Sequence, residues 1–168
     1  MLSFSRLIEA LDYSPITGQF TWLKETKNGN VVRRRVGDIA GSIDKVSGYS
    51  TIRLDKKLYQ AHRLAVFFMT GEWPEQDPDH RDNVRENNRW ANLRPATRSQ
   101  NAANGRVHRD NVTGLKGVTF RKDTGKWFAR GCVDGKVTGL GTFDCPAAAH
   151  LAYIVWADKA FGEYARAA

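Results

Sequence analysis

Cysteine is scarce in this 168-residue chain, and its two cysteines, Cys132 and Cys145, form no C-x-x-C pair. Their spacing excludes a cysteine-rich structural zinc site and argues against a disulfide framework, although a single bond between the two is geometrically possible. Long apolar runs are also absent, so no segment is expected to cross a membrane. The stretch MLSFSRLIEALDY has early acidic residues and no small-residue cleavage pattern, so we expect no signal peptide and a cytoplasmic protein.

Positive charge, in contrast, is plentiful. The chain has 26 lysines and arginines against 18 acidic residues, a net charge of +8. The excess is +4 up to Asn104 (16 less 12) and +4 after it (10 less 6). Such a balance is typical of proteins that bind nucleic acid, and its spread favours a long polyanion; a merely soluble basic protein is the alternative. Because 41% of the residues are hydrophobic, the chain can build a core.

Local patterns predict several elements before residue 78. SRLIEALD has helical spacing, GYSTIRL and KKLYQ read as a hairpin joined near Asp55-Lys56, and AHRLAVFFMTG reads as a helix that stops at Gly71. We expect His62, at the start of that helix, to be buried or capping. The polar segment 24–35 is predicted to be a loop, and its Arg33-Arg34-Arg35 run either contacts phosphates or is solvated.

The segment DHRDNVRENNRWANLRPATRSQNAAN, residues 79–104, contains six asparagines. Asparagine is a poor former of helix interiors and strands, so its use here indicates turns, caps or oxygen ligands of hard metals. Two short strands, PDHRD and RWANLR, are predicted around a long polar loop. A helix follows, because Thr97-x-x-Gln100 is a capping box and Gly105 is a fitting stop.

These residues suit hydrolysis of a phosphodiester. That reaction needs a base for the attacking water and a cation for the charge on phosphate and leaving oxygen. His80 suits the base because its pKa is normally near working pH, and one carboxylate and one amide oxygen, Asp79 and Asn101, are enough for Mg²⁺. We expect the helix to fold back and bring Asn101 near Asp79, and Asn92 to brace the loop through its backbone.

Over residues 46–104 the chain resembles the HNH (ββα-metal) endonucleases, especially phage homing-type enzymes. The resemblance is carried by Asp79-His80, Asn87-Asn88-Arg89, Asn92-Leu93-Arg94 and Ser99-Gln100-Asn101. It implies that His80 is the general base, that Asn92 holds the loop and positions it, and that Asp79 and Asn101 bind one divalent metal.

The sequence departs from the family pattern within the loop. Arg81 replaces an apolar residue, and Asn83 replaces a glycine, although asparagine also tolerates the left-handed conformation. The final ligand, Asn101, replaces a histidine, which favours Mg²⁺ or Mn²⁺ over zinc.

A second module is predicted after a polar linker. LKGVTF, KWFARGCV and KVTGLGTF read as three strands, the last two joined by Asp134-Gly135, and DCPAAAHLAYIVWADKAFGEY reads as a helix. An apolar stripe on that helix is formed by Ala149, Ala152, Tyr153, Trp156 and Ala160.

Alternation along the strands predicts a basic outward face. Val118 and Phe120 should point inward, and so should Trp127 and Ala129. The outward set is then Thr119, Arg121, Lys126 and Arg130. A solvated basic sheet is the alternative to a groove reader.

Residues 112–165 resemble the DNA-binding domain of plant ethylene-response factors, which also occurs fused to HNH nucleases. The resemblance implies that the sheet enters the major groove and that Lys116 contacts DNA. The aromatic residue expected before LGTF is Gly139 here.

Together these features predict an α+β protein: a nuclease region at 1–104 with its ββα-metal unit at 77–105, a linker at 105–113, and at 114–168 a three-stranded antiparallel sheet packed on one helix. The expected function is a DNA endonuclease dependent on Mg²⁺ or Mn²⁺, acting on double-stranded DNA, monomeric, in the host cytoplasm if phage-encoded. A non-catalytic DNA-binding regulator is the alternative. An RNA-binding module would lack a stacking platform beyond Trp127 and Phe128.

Overall fold

The protein is an α+β chain built from short helices and small antiparallel sheets, as predicted. The structure, a computed structural model, describes residues 2–28, 31–108 and 110–166. It divides into two compact units, Met1–Pro95 and Ala96–Ala168. Within the described ranges, no helix is long and apolar enough to cross a membrane. The predicted domain boundaries at 104 and 114 stay a prediction.

The first unit contains two helices and several small sheets of two or three strands. Its elements run in the order α1 (Phe4–Ala10), β1 (Leu11–Tyr13), β2 (Phe20–Trp22), β3 (Thr26–Asn28), β4 (Val31–Arg34), β5 (Ser42–Ile43), β6 (Ser50–Leu54), β7 (Lys57–Gln60), α2 (Ala61–Thr70), β8 (Asp79–His80) and β9 (Leu93–Arg94). The sheets pair β1 with β2, β3 with β4, the central β6 with both β5 and β7, and β8 with β9.

Local turn chemistry sets several of these boundaries where the sequence predicts them. The β6–β7 hairpin turns at Asp55 and Lys56, whose φ angles of 49° and 66° are those of a tight hairpin turn. Helix α2 ends at Gly71, whose left-handed φ of 78° lets its N–H bond to Phe67. The hairpin and the helix predicted there are confirmed.

The prediction of a loop over residues 24–35 is wrong. Thr26–Asn28 and Val31–Arg34 pair as an antiparallel hairpin, and the connecting residues 29 and 30 lie outside the described part. The described residues of β4 are exposed or half-buried. A strand that buries neither face needs no alternation of apolar and polar residues, so it leaves no period-2 signal in the sequence.

The core of the first unit lies between α1, α2 and the strands β1, β2 and β6. Leu7, Leu11, Phe20, Ile52 and Leu64 are almost completely buried there. Burying each such side chain stabilises the fold by about 1.5–3 kcal/mol. This core is the support from which the strand pair β8–β9 is presented.

The second unit contains one short helix, a three-stranded sheet and a long helix. Its elements are α3 (Arg98–Asn104), β10 (Val118–Arg121), β11 (Lys126–Val133), β12 (Lys136–Phe143) and α4 (Pro146–Phe161). The capping box at the start of α3 is confirmed: the Gln100 N–H donates to Thr97 Oγ1 at 3.2 Å, and the Thr97 N–H donates to Gln100 Oε1 at 2.8 Å.

Helix α4 packs behind the sheet, as predicted. Val118, Ala129 and Ala149 form a buried cluster between the two. At Gly131 an added Cβ would lie 2.2 Å from the Trp156 ring, so only glycine allows this close approach.

Two side-chain orientations in this unit differ from the prediction. Phe120 is 42% exposed, and its ring lies tilted against that of Trp127, with 5.0 Å between the ring centroids. Ala160 is exposed because the buried stripe continues to Ala157 and Phe161.

Candidate active site

Asp79 and His80 lie in β8, and both side chains are buried. Asp79 is paired in register with Arg94 of β9, and His80 with Leu93. Two residues are too few to form a stable ladder alone. The geometry of this pair therefore depends on the loop between the strands and on what packs around it.

His80 is a buried imidazole with a defined hydrogen-bond partner. Its Nε2 lies 3.1 Å from Oδ1 of Asn88. An amide oxygen only accepts, so in this contact Nε2 carries the proton and Nδ1 carries the lone pair. Burial lowers the pKa of His80, although the Asn88 contact opposes the shift. The imidazole is therefore neutral at neutral pH, as a general base must be.

Asn92 braces the loop that follows His80, as predicted. Its Oδ1 accepts from the Asp82 N–H at 3.1 Å, and its Nδ2 donates to Asp82 Oδ1 at 2.9 Å and to the Asn87 carbonyl at 2.8 Å. Asn83, at the turn, has the left-handed φ of 61° that its place in the pattern requires. One side chain thus ties both ends of the loop together.

Asn88 is a site residue to which the sequence analysis assigned no role of its own. It is buried, and its carbonyl accepts a 2.6 Å hydrogen bond from the Tyr13 hydroxyl. Burial raises the pKa of Tyr13 to about 12, so this hydroxyl keeps its proton. The partner is 75 positions away in the chain, and no local pattern signals such a contact.

His62 is buried, in agreement with prediction, and it contacts the site. Its ring meets that of His80 edge to face at 5.1 Å between centroids, and Tyr49 lies 5.0 Å from His62 and 6.0 Å from His80. Within the part of the chain that the structure describes, His62 Nδ1 is buried without a hydrogen-bond partner. Burial, reinforced by His80, lowers the pKa of His62 to about 3. This second imidazole is also neutral.

Asp79 is held by an ion pair. Arg94 donates from Nε and Nη2 to Oδ2 of Asp79, both at 2.8 Å, and both side chains are buried. Asn101, the other predicted metal ligand, lies in the middle of α3, in the second unit. Its approach to Asp79 stays a prediction. Over the described ranges, no group of three or more His, Cys, Asp or Glu side chains is arranged to hold a metal ion.

The sheet of the second unit presents a basic face. Thr119, Arg121, Lys126 and Arg130 are all exposed, as predicted. The Arg121 guanidinium lies 4.1 Å above the ring of Phe128, and Lys126 forms an exposed ion pair with Asp144 at 3.1 Å. Exposed pairs of this kind contribute little, so phosphate can displace Asp144.

The prediction that Lys116 faces DNA is wrong in its orientation. Lys116 is only 8% exposed, and its Nζ donates to the Ala103 carbonyl at 2.7 Å and to the Arg166 carbonyl at 3.0 Å. The apolar stem of lysine can be buried when its amine finds acceptors, and here two main-chain carbonyls supply them. This role was implied by the family resemblance alone, and Lys116 lies before β10, outside the alternating strand positions.

The first unit has a basic groove of about 740 Å³ beside the β3–β4 hairpin. It is lined by two carboxylates, Asp38 and Asp44, and by four cations, Arg33, Arg34, Lys45 and Arg53. In the described residues none of the four cations forms an ion pair with a carboxylate. Arg34 is stacked on Trp22 at 4.0 Å. Part of the predicted arginine run therefore lines a groove that suits phosphate.

Residues 59–103 match the family model described as HNH endonuclease. The match contains Asp79, His80, Asn92 and Asn101, and it supports a nuclease function, in a family of DNA-cleaving hydrolases that typically use a divalent metal. It covers less than a third of the chain and ends before the sheet of the second unit. No curated protein matches the sequence.

Proposed function

We propose that the chain is a metal-dependent endonuclease that hydrolyses phosphodiester bonds of duplex DNA, as a phage homing-type HNH enzyme. The observation that carries the proposal is the environment of His80. Its imidazole is buried, neutral and bonded through Nε2 to Asn88, in a loop that Asn92 ties together. A base near the end of a short strand, held in one tautomer, suits proton abstraction from water.

His80 Nδ1 takes a proton from the attacking water as the water oxygen bonds to phosphorus. The bond from phosphorus to the 3′ oxygen breaks, and that oxygen gains a proton from solvent. Products with 5′-phosphate and 3′-hydroxyl ends are what the family resemblance implies. Asn88 holds the imidazole ring in place during the transfer, and His62 and Tyr49 pack against the ring.

Asp79 and Asn101 would hold the divalent metal, Mg²⁺ or Mn²⁺. The donor set fits, because a carboxylate oxygen and an amide oxygen are the hard ligands these cations prefer. Arg94 binds Oδ2 of Asp79 and holds this carboxylate in place. When bound, such a cation neutralises charge on the phosphate and on the leaving oxygen.

The second unit would bind DNA through its exposed sheet face, in the manner of the ethylene-response-factor domain that it resembles. Thr119, Arg121, Lys126 and Arg130 are the residues we assign to this contact; the buried Lys116 is not among them. A twisted sheet with a basic face fits the width of the major groove.

Supercoiled plasmid incubated with the protein and Mg²⁺, Mn²⁺ or EDTA tests the function. We expect nicked or linear plasmid with either metal and none with EDTA. His80→Ala should slow cutting by about 10²–10⁴-fold, the usual contribution of a general base, while DNA affinity stays unchanged.

His108→Ala is the matched control, because His108 is an exposed histidine in the loop after α3. It should cut like the wild type. If the wild-type protein binds plasmid but never cuts it with any divalent metal, the nuclease assignment is wrong and a DNA-binding regulator replaces it.

A further inference from the structure

The turn at residues 44–48, within the first unit, forms part of the basic groove. Asp44 and Lys45 line the groove. The turn is closed by Asp44, whose Oδ1 accepts the Ser47 N–H at 2.6 Å. One side of the groove is therefore a turn held by its own hydrogen bonds.

The same turn is contacted by Arg85, which lies in the loop after His80. Arg85 Nη1 donates to the Ser47 carbonyl at 2.6 Å, and the guanidinium lies 5.0 Å from the centre of the Tyr49 ring. Tyr49 packs in turn against His80, with 6.0 Å between the ring centroids. Burial is the main cause of the lowered pKa of His80, and the positive charge of Arg85 adds to it, so the two groups lie close enough to interact. A cation thus lies between the groove and the proposed base.

Arg85 is exposed and held in a way that suits binding of an anion. Among the described residues it forms one hydrogen bond, through Nη1, and no ion pair with a carboxylate. Arg34 is held similarly in the groove, because it is stacked on Trp22 at 4.0 Å and donates to the Arg53 carbonyl at 3.5 Å. A guanidinium that is already held in place loses little conformational entropy when it binds an anion.

The lining of the groove is mixed, and its charge is positive. Four cations and two carboxylates give a balance of +2, and both carboxylates serve turns, since Asp38 Oδ2 accepts the Arg35 N–H at 2.7 Å as Asp44 accepts that of Ser47. Exposed aliphatic side chains lie among these charges, namely Ile39, Ile43 and Leu58. A nucleic-acid backbone, in which charged phosphates alternate with less polar sugars, fits such a lining better than a simple anion does.

We propose that the first unit binds the phosphodiester backbone of duplex DNA along a phosphate track that leads from the groove to His80. The track is defined by its five cations, Arg33, Arg34, Lys45, Arg53 and Arg85. The proposal rests on the proposed function and adds to it how the first unit holds the strand that His80 attacks. Arg85 is the last cation of the track before the base. The first unit then binds DNA through contacts of its own, and the sheet face of the second unit adds to them.

Arg53→Gln and Arg85→Gln in the full-length protein are the direct test. Both side chains are exposed, so each exchange should leave the fold intact. Fluorescence anisotropy with a labelled duplex in EDTA, over a series of salt concentrations, measures the slope of log affinity against log salt. Each variant should flatten that slope by about 0.9, and the double variant by about 1.8, because each loses a phosphate contact.

Lys24→Gln is the matched control, because it removes one positive charge from the same unit. Lys24 is exposed and paired with Glu9 of α1, outside the track, so its exchange should leave the slope unchanged. Arg53→Lys and Arg85→Lys keep the charge and should keep most of the slope. If Arg85→Gln does not fold, Arg53→Gln decides the matter.

The outcomes separate the track from the proposed function. Wild-type slopes in both Arg53→Gln and Arg85→Gln, with a wild type that cuts plasmid, overturn the track and leave the nuclease standing. Equal flattening in Lys24→Gln would be a general effect of charge and would also overturn the track. A double-stranded RNA that binds more tightly than DNA of the same length would overturn duplex DNA as the occupant. Flattened slopes in both arginine variants of a protein that binds plasmid but never cuts it would keep the track and overturn the proposed function.

Discussion

At the scale of single residues, two buried imidazoles lie in contact, and neither is charged at neutral pH. His62 and His80 meet edge to face, and burial is the main cause of the lowered pKa of each. A charged His62 would repel a protonated His80 and would occupy an apolar site without a partner for Nδ1. Lowering the pH should therefore destabilise the first unit by protonating these two histidines.

Stability should fall as the pH falls from 6.5 towards 3. The pKa of His62 is about 3 in the folded protein and near 6.5 in the unfolded chain, so the unfolded state binds more protons throughout this window. Each such group changes the free energy of unfolding by at most about 1.4 kcal/mol per pH unit. Urea unfolding of the wild type and of His62→Phe, measured at a series of pH values in this range, gives the difference in their free energies of unfolding.

The stability of the wild type relative to His62→Phe should decrease towards acid pH. His108→Phe, an exchange of an exposed histidine, should run parallel to the wild type. Parallel curves for His62→Phe as well would mean that His62 is not the buried neutral group described.

At the scale of elements, the β1–β2 turn supports the active-site loop. Gly18 has a φ of 76°, and a Cβ there would lie 2.4 Å from the Arg89 nitrogen and 2.5 Å from the Asn88 carbonyl carbon. The turn thus lies directly against the backbone of the residue that bonds to His80. Trp90 adds a 3.0 Å bond from its N–H to the Pro15 carbonyl.

Gly18→Ala should destabilise the protein and slow its cutting, whereas Gly37→Ala should do much less. Both glycines have positive φ, 76° and 86°, so both variants bear a backbone penalty of about 1 kcal/mol. Only Gly18 has atoms in the way; overpacking adds about 1–3 kcal/mol, and Gly37 has nothing within 4 Å. Chemical denaturation and plasmid cutting measure the two effects.

Equal losses in the two variants would show that the contact with Asn88 and Arg89 is unimportant. Loss of stability in Gly18→Ala without slower cutting would separate the turn from the site.

Elements whose ends are set by local chemistry could be predicted from the sequence. The turns at Asp55-Lys56 and Asp134-Gly135 and the capping box at Thr97 are each specified within four residues, and all three are present. The exposed β3–β4 hairpin was missed because neither strand alternates apolar and polar residues.

The loop after His80 has the contacts that the sequence predicts, whereas the residues packed around it were not predicted. Asn92 and Asn83 behave as their pattern implies, since their partners lie within a dozen residues. The contacts of Asn88 with Tyr13 and of Lys116 with Arg166 span 75 and 50 positions. Packing of the folded chain creates such contacts, and no short motif records them.

At the scale of the whole molecule, the net charge of +8 is divided evenly about Asn104. The basic groove beside β3–β4 and the basic sheet face of the second unit each collect part of it. A duplex that contacts lysines and arginines displaces condensed counterions, so its affinity should fall steeply as salt rises. Single charge removals can then assign contacts one at a time.

Arg121→Gln and Arg130→Gln should each flatten the plot of log affinity against log salt by about 0.9, the value for one phosphate contact on duplex DNA. Both side chains are exposed on the sheet face. Lys159→Gln removes the same charge from α4, which packs behind the sheet, and should leave the slope unchanged.

The measurement is fluorescence anisotropy with a labelled duplex in EDTA, over a series of salt concentrations. An arginine that binds a base edge would instead relax sequence preference at its position. If Arg121→Gln and Arg130→Gln both keep the wild-type slope and sequence preference, the sheet face does not bind DNA, and the groove of the first unit becomes the surface to test.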